Sequence, residues 1–301
     1  MKAVQLYGYG DVDQLRYEDV PDPKPGPGEV LVKVISTSVN PIDFKLRSGA
    51  LKEAMPLQFP FILGRDVAGE VTELGPGVDN LKVGDAVLGL VNHSYAQYLV
   101  AKATDLAKAP AGLDLSEAGR LPLVVTTGAQ LIERGVQPPD GQIVLVTGAV
   151  GSVGRTAVYV AKQHKATVIA GVRASQKQEA QWTEADAIVA LDDEKELENL
   201  SPVEAIADTI DGETIAKLLP KWNRTGKFAS VLGKPAAAEK AGVDVVSVWA
   251  QPDAHRLHQL ALDVLAARFT IPIDRKMPLS EIQEAQRLAE KGANGKIVLL
   301  P

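Results

Sequence analysis

Residues 142–154 read Gln-Ile-Val-Leu-Val-Thr-Gly-Ala-Val-Gly-Ser-Val-Gly. Ile143, Val144, Leu145 and Val146 form a short continuous apolar run rich in β-branched side chains. That is the pattern of a strand covered on both faces of a parallel sheet. The run stops at Gly148, and beyond the glycines Val153, Ala157, Val160 and Ala161 recur at helical spacing. A strand therefore feeds a glycine turn that opens a helix. Such a turn attracts an anion, because the first N–H groups of the helix are free, its dipole is positive there, and missing side chains admit a pyrophosphate. The glycines stand at 148, 151 and 154, since Ala149 and Val150 separate the first two, so the spacing departs from the strict G-x-G-x-x-G. A glycine triplet alone also suits a tight turn with no ligand. The strand before it and the amphipathic helix after it make a dinucleotide site the expectation, with Gly148, Gly151, Ser152, Val153 and Gly154 as cofactor contacts. A side chain at Gly151 is expected to fill the space of the pyrophosphate and to strain the turn.

Around this stretch the chain alternates in type. Residues 2–6, 30–35, 66–74, 85–91 and 96–101 are short apolar or alternating runs separated by Pro- and Gly-rich turns, which predicts a β-rich module of about 110 residues. Residues 116–134 are expected to be helical, interrupted at Pro122. From Gly141 onward, strands at 143–147, 167–171, 187–190, 205–210, 227–232 and 243–248 alternate with helical stretches such as 152–163, 175–183 and 213–222. This order predicts a doubly wound parallel sheet with ligand bound at the carboxyl ends of its strands, where Leu232 and Gly233 join the expected cofactor contacts. A helix follows over 252–268, then a capping box at Ser280 and Gln283, a helix ended by Gly292, and a last strand at 296–300. A lone last strand must pair somewhere, and it is expected to return to the β-rich module.

Composition removes several chemistries. The 301 residues contain no cysteine, which excludes disulfides, thiolate zinc, iron–sulfur clusters and a cysteine nucleophile. A formal net charge of −6 provides no basic field for nucleic acid. No apolar run approaches ~18 residues and Met1 to Leu6 lack the core of a signal peptide, so a soluble, cytoplasmic protein is expected, with no membrane partner. The four histidines are scattered at His93, His164, His255 and His258. His255 and His258 are three apart on a probable helix but lack a third ligand nearby, as a solvated helix face would.

Five further segments, taken in order, resemble a known family: residues 38–45 (Ser-Val-Asn-Pro-Ile-Asp-Phe-Lys), 64–71 (Gly-Arg-Asp-Val-Ala-Gly-Glu-Val), 83–87 (Val-Gly-Asp-Ala-Val), the glycine stretch, and 295–299 (Gly-Lys-Ile-Val-Leu). Together they resemble the zinc-free medium-chain dehydrogenases/reductases of the NADPH:quinone oxidoreductase group. The resemblance implies a Rossmann domain at residues 115–268 and a discontinuous GroES-like catalytic domain at 1–114 and 269–301. In zinc-dependent relatives a metal-binding cysteine stands where this chain has Asn40, and a His-Glu pair where it has Arg65 and Asp66. No metal site is therefore expected. The resemblance also implies that Asn40 lies beside the nicotinamide ribose or the substrate, the alternative being a turn-forming Asn-Pro. Lys45 and Tyr95 are candidate proton donors, the alternatives being a solvated lysine and a packed tyrosine. Thr126 and Thr127 are candidates to bond the carboxamide, or helix hydroxyls bonded to their own backbone.

The end of the strand at 167–171 addresses which dinucleotide is used. An NAD site commonly places a carboxylate about 20 residues beyond the glycine turn, on the ribose 2′-hydroxyl. Ala170 and Gly171 stand there instead, followed by Arg173, Ser175 and Lys177, which can bond the 2′-phosphate of NADPH; plain surface charges are the alternative. The expected function is hydride transfer from NADPH to a quinone or α,β-unsaturated carbonyl compound, with a nucleotide-binding protein of little turnover as the other reading. A homodimer is expected, paired through an exposed edge at 243–248 rich in valine.

Overall fold

In the computed structural model, which describes residues 1–210 and 212–301, β1 (Lys2–Leu6) pairs antiparallel with β2 (Leu15–Asp19). β3 (Glu29–Ser38) obeys the period of two: Val30, Val32 and Val34 are buried with Val67, Val71, Val87 and Leu99, while Lys33 is exposed. It runs into α1 (Pro41–Ser48), which begins on a proline and closes on Gly49 in the left-handed region. β4 (Phe61–Ile62) returns to β1, and β5 (Asp66–Leu74), β6 (Ala86–Leu90), β7 (Tyr98–Lys102) and β8 (Leu106–Lys108) build an antiparallel sheet around β3.

After α2 (Leu115–Ala118), α3 (Pro122–Gln130) starts at Pro122, so the expected interruption is a helix beginning, where a missing N–H costs nothing. Strand and helix then alternate: β9 (Ile143–Thr147), α4 (Ser152–Gln163), β10 (Thr167–Val172), α5 (Lys177–Ala180), β11 (Ala187–Ala190), α6 (Glu194–Asn199), β12 (Ala205–Asp208), α7 (Glu213–Leu218), β13 (Phe228–Ser230), α8 (Ala236–Lys240) and β14 (Val246–Ser247). The six strands are parallel in the order β11-β10-β9-β12-β13-β14. That is the Rossmann order, with its reversal between β9 and β12. Val144, Leu145, Val146, Ala205, Ile206 and Ala207 are wholly buried, as strands covered on both faces require.

A carboxylate ties the strand ends at that reversal. Asp208 is fully buried; its Oδ1 accepts from Thr147 Oγ1 (2.8 Å) and its Oδ2 from Ser230 Oγ (2.9 Å). Thr209 in turn gives its N–H to Thr147 Oγ1 (2.9 Å) and its hydroxyl to the Thr147 carbonyl (2.7 Å). The hydrogen bonds offset the cost of burying the carboxylate.

α9 (Ala254–Leu265), β15 (Ile273–Pro278), α10 (Ile282–Lys291) and β16 (Lys296–Leu300) complete the chain. β16 pairs parallel with β15 and antiparallel with β3, opposing Val298 to Ser38 and Leu299 to Thr37, so the last strand does return to the β-rich module.

Two compact units result, Met1–Leu123 with Pro252–Pro301, and Val124–Gln251. The division differs from the expected 1–114, 115–268 and 269–301 chiefly in α9. Leu257, Leu260 and Ala261 bury the apolar face of that helix against β6 and β8, and His258 Nδ1 bonds the Lys108 carbonyl at 2.7 Å. The capping box expected at Ser280 and Gln283 does not form. A 3₁₀ turn over Leu279–Glu281 delays the start of α10, and Gln283 Nε2 donates to the Leu15 carbonyl at 2.9 Å instead. The edge strand expected at 243–248 shortens to Val246–Ser247. Val243 and Val248 are buried within their own unit, which leaves Val246 and Trp249 as the exposed large apolar side chains there and narrows the ground for a dimer paired through this edge. Among the described residues no helix is long and apolar enough to cross a membrane.

Asp208→Ala should leave the hydroxyl protons of Thr147 and Ser230 without their acceptor in the interior and lower unfolding free energy by ~2–4 kcal/mol, read as a reduced urea midpoint.

Candidate active site

The glycine turn is built from three different requirements. Gly148 has φ 62°, and a Cβ there would stand 2.5 Å from Thr209 Oγ1. At Gly154 a Cβ would stand 2.1 Å from the Gly148 carbonyl oxygen, so this glycine lets α4 close on the turn. Gly151, the residue capping α4, has an ordinary φ of −69°, and a Cβ there meets only the Gly148 carbonyl oxygen at 3.2 Å. The backbone of Gly151 is therefore unstrained as it stands, but a Cβ would press on that carbonyl, so an added side chain still strains the turn. Gly151 is followed by the first N–H groups of α4, those of Ser152, Val153 and Gly154, which a helix leaves without partners of its own. Gly151 donates to Gly148 (2.9 Å) and Ala149 to Gly171 (3.2 Å), which fixes the turn against the end of β10.

Beyond β10, Arg173 and Ser175 are exposed. The backbone N–H of Arg173 is accepted by Gln176 Oε1 (3.2 Å) and that of Ala174 by Asp192 Oδ1 (2.7 Å). Lys177 differs from expectation, for its ammonium is paired with Glu196 Oε1 at 2.7 Å. Arg173 is thus the principal candidate for a 2′-phosphate. Leu232 is exposed, its N–H donated to Ser230 Oγ at 3.1 Å, and Gly233 follows with φ 91°. Ile210 is exposed beyond β12 in the same way, a residue that sequence reasoning passed over because isolated apolar residues after a strand carry no signal. In α3, Thr126 is 3% exposed and its hydroxyl has no partner, so the backbone-bonded alternative does not hold for it; Thr127 is 9% exposed. An open cradle at a helix start and an orphaned buried hydroxyl both fit a bound dinucleotide.

The first unit holds a closed polar network. Asn40, 1% exposed, gives Nδ2 protons to Asp66 Oδ2 (2.7 Å) and the Ser38 carbonyl (3.3 Å), and its Oδ1 accepts from Lys296 Nζ (2.5 Å). Lys296 Nζ also donates to the Val39 carbonyl (2.9 Å) and lies 4.0 Å from Asp66 Oδ2. Asp66 further accepts from Ser38 Oγ (2.5 Å) and the N–H of Leu123 (2.6 Å). Burial lowers the pKa of Lys296, against the opposing pull of Asp66 and Asp43.

Two of the expected catalytic residues in the same unit have partners within the protein. Tyr95 is fully buried and donates its hydroxyl to Asp43 Oδ2 at 2.8 Å, the packed-tyrosine arrangement; burial, then the Asp43 charge, hold its pKa well above the ordinary value. The amide of Asn40 is spent inside the protein. Lys45, half-buried on α1, is the expected proton donor that stays accessible. Asp43 also accepts the N–H of Asn40 at 2.8 Å, while its Oδ1 is buried without a partner, and desolvation raises its pKa to about 6.

These residues do not fit a tetrahedral zinc. Arg65 is turned to Asn92 Oδ1 (2.6 Å), the Asp66 oxygens are already hydrogen-bonded, and the Lys296 ammonium already brings a positive charge beside them. Among the described residues no cluster of three or more His, Cys, Asp or Glu could hold a metal.

A Rossmann unit with a phosphate-binding turn, joined to a GroES-like unit, defines a nucleotide-dependent dehydrogenase or reductase. Residues 26–111 match the alcohol dehydrogenase GroES-like domain and residues 183–299 the family described as zinc-binding dehydrogenase. The chloroplast envelope quinone oxidoreductase homolog of Arabidopsis thaliana is 30% identical over 100% of this chain and 98% of its own. The quinone oxidoreductase of Coxiella burnetii superposes with a TM-score of 0.89 at 28% identity, covering 100% of this chain and 99% of its own. A mycobacterial protein whose structure is complexed with NADPH superposes at 0.85 and 26% identity over 100% of both chains. The chain belongs to the medium-chain dehydrogenase/reductase family, in its quinone oxidoreductase group.

Two outcomes follow from this geometry. Because folding raises the Asp43 pKa to about 6, the contribution of this residue to stability is full below its unfolded value and is lost as the pH rises through 6. Asp43→Asn keeps an acceptor for Tyr95 but cannot ionise, so the stability of the variant relative to wild type should rise by ~2–3 kcal/mol between pH 4 and 7, measured by urea unfolding across that range. Gly151→Val should leave the far-ultraviolet circular dichroism and melting temperature close to wild type and abolish detectable NADPH binding by calorimetry, since the added side chain points into the open cradle.

Proposed function

We propose that this oxidoreductase, which takes a nicotinamide cofactor, uses NADPH to reduce a quinone or an α,β-unsaturated carbonyl compound and needs no metal. The observation that carries the reading is the closed Asn40–Asp66–Lys296 network standing where zinc-dependent relatives place their ligands. With no Lewis acid, the acceptor must itself delocalise the charge that arrives with a hydride, as a quinone or enone oxygen does. NADPH, when bound, supplies that hydride. The chain's own part is then positioning: the glycine turn and the start of α4 take the pyrophosphate, Arg173 with Ser175 the 2′-phosphate, and the Thr126 hydroxyl a polar group of the nicotinamide end. Lys45 is the residue we assign to hold the proton for the reduced oxygen. The names of the Arabidopsis and Coxiella proteins support the acceptor class, and the mycobacterial complex supports the cofactor.

The burial of Tyr95 and the commitment of Asn40 favour a second reading, a nucleotide-binding protein with little turnover. Following nicotinamide absorbance with NADPH and a panel of quinones, 2-alkenals and enones separates the two. Acceptor-dependent NADPH loss without added metal is expected; tight NADPH binding with every acceptor unreduced leaves the second reading standing. Arg173→Ala should weaken NADPH by roughly 10- to 100-fold and leave NADH nearly unchanged, as loss of a charge-assisted bond to the 2′-phosphate requires.

A further inference from the structure

One buried cation in the second unit bonds both segments that the cofactor reading uses. Arg155, 8% exposed, lies in the first turn of α4, and its Nε donates to the Val150 carbonyl at 2.8 Å. Val150 is inside the glycine turn, so this bond ties the turn to the first turn of α4. The backbone N–H of Arg155 also closes on Gly151 at 2.8 Å. Its other end pairs with Glu179 Oε1 on α5, the short helix that follows Arg173 and Ser175. Glu179 is half-exposed, whereas Arg155 is not. Burying a guanidinium is costly unless its donors are used, and two of them are used on two different segments.

We infer that Arg155 is a positioning residue that couples the pyrophosphate turn to the 2′-phosphate segment, with Glu179 as the link that sets where Arg173 stands. The inference rests on the proposed NADPH reading and deepens it. A lysine cannot replace Arg155, because one ammonium cannot reproduce a fork that holds Val150 at Nε and Glu179 at the terminal nitrogen. The two bonds are separable. Removing Glu179 leaves the turn held but frees α5 and with it Arg173. Removing Arg155 frees both.

Calorimetric titration of the full-length protein with NADPH and with NADH tests this in wild type, E179Q, R155K, the double variant and R173A, with apo melting temperatures alongside. E179Q should lose about 3- to 10-fold in NADPH affinity and keep NADH within twofold. R155K should weaken both dinucleotides, NADPH more, and E179Q should add little in the R155K background, because the link is already cut. A residue serving stability alone would lower the melting temperature and leave the NADPH-to-NADH ratio at its wild-type value; that result in both E179Q and R155K overturns the inference. R173A separates the failures. If R173A loses the NADPH preference while E179Q and R155K keep it, only the coupling is wrong. If wild type shows no preference for NADPH, the underlying cofactor reading fails and the coupling with it.

Discussion

A lysine ammonium held inside the first unit is what the rest of that unit is arranged around. Lys296 is 5% exposed and arrives on the last strand, β16, next to Asp66 at the start of β5 and Asn40 at the start of α1. A buried cation is tolerated only where acceptors surround it, and here the acceptors come from the link between β3 and α1 and from the start of β5. The chain's discontinuity follows from this. Residues 252–301 must return to complete a network begun more than two hundred residues earlier, and in returning they bring α10 against α1.

Three buried aspartates show how partners decide the chemistry of one residue type. Asp66 and Asp208 accept hydrogen bonds at both carboxylate oxygens and act as struts, one joining strands to helix starts, the other the ends of β9, β12 and β13. Asp43 has bonds at Oδ2 alone, and burial raises its pKa to about 6. Its proton is therefore exchangeable near neutral pH, beside an Asp66 whose oxygens are both hydrogen-bonded.

In the second unit the glycines divide the work of one site. Gly148 allows a left-handed turn, Gly154 allows the helix to close on that turn, and Gly151 caps the helix without a side chain. Only the last of these is a requirement of binding; the other two are requirements of folding. Arg155, holding the turn from behind, belongs to neither glycine role and stabilises the conformation that both produce.

The parallel sheet, the glycine turn, the β-rich module and the return of the last strand were legible in the sequence, because period-two and period-3.6 hydrophobicity and glycine punctuation are local signals. Local reasoning failed wherever a distant group offered a better partner. Gln283 left its capping box for the Leu15 carbonyl, Lys177 turned to Glu196, and α9 joined the unit whose strands its leucines could cover. Tyr95 and Asn40 were chosen for their chemistry, but whether a hydroxyl or an amide faces a ligand or its own protein depends on burial and on partners far along the chain. Spacing in the sequence determined where a phosphate could sit, since backbone N–H groups follow from the turn itself; tertiary packing decided which side chains were left to act, because a hydrogen bond spent inside the protein is no longer available to a substrate.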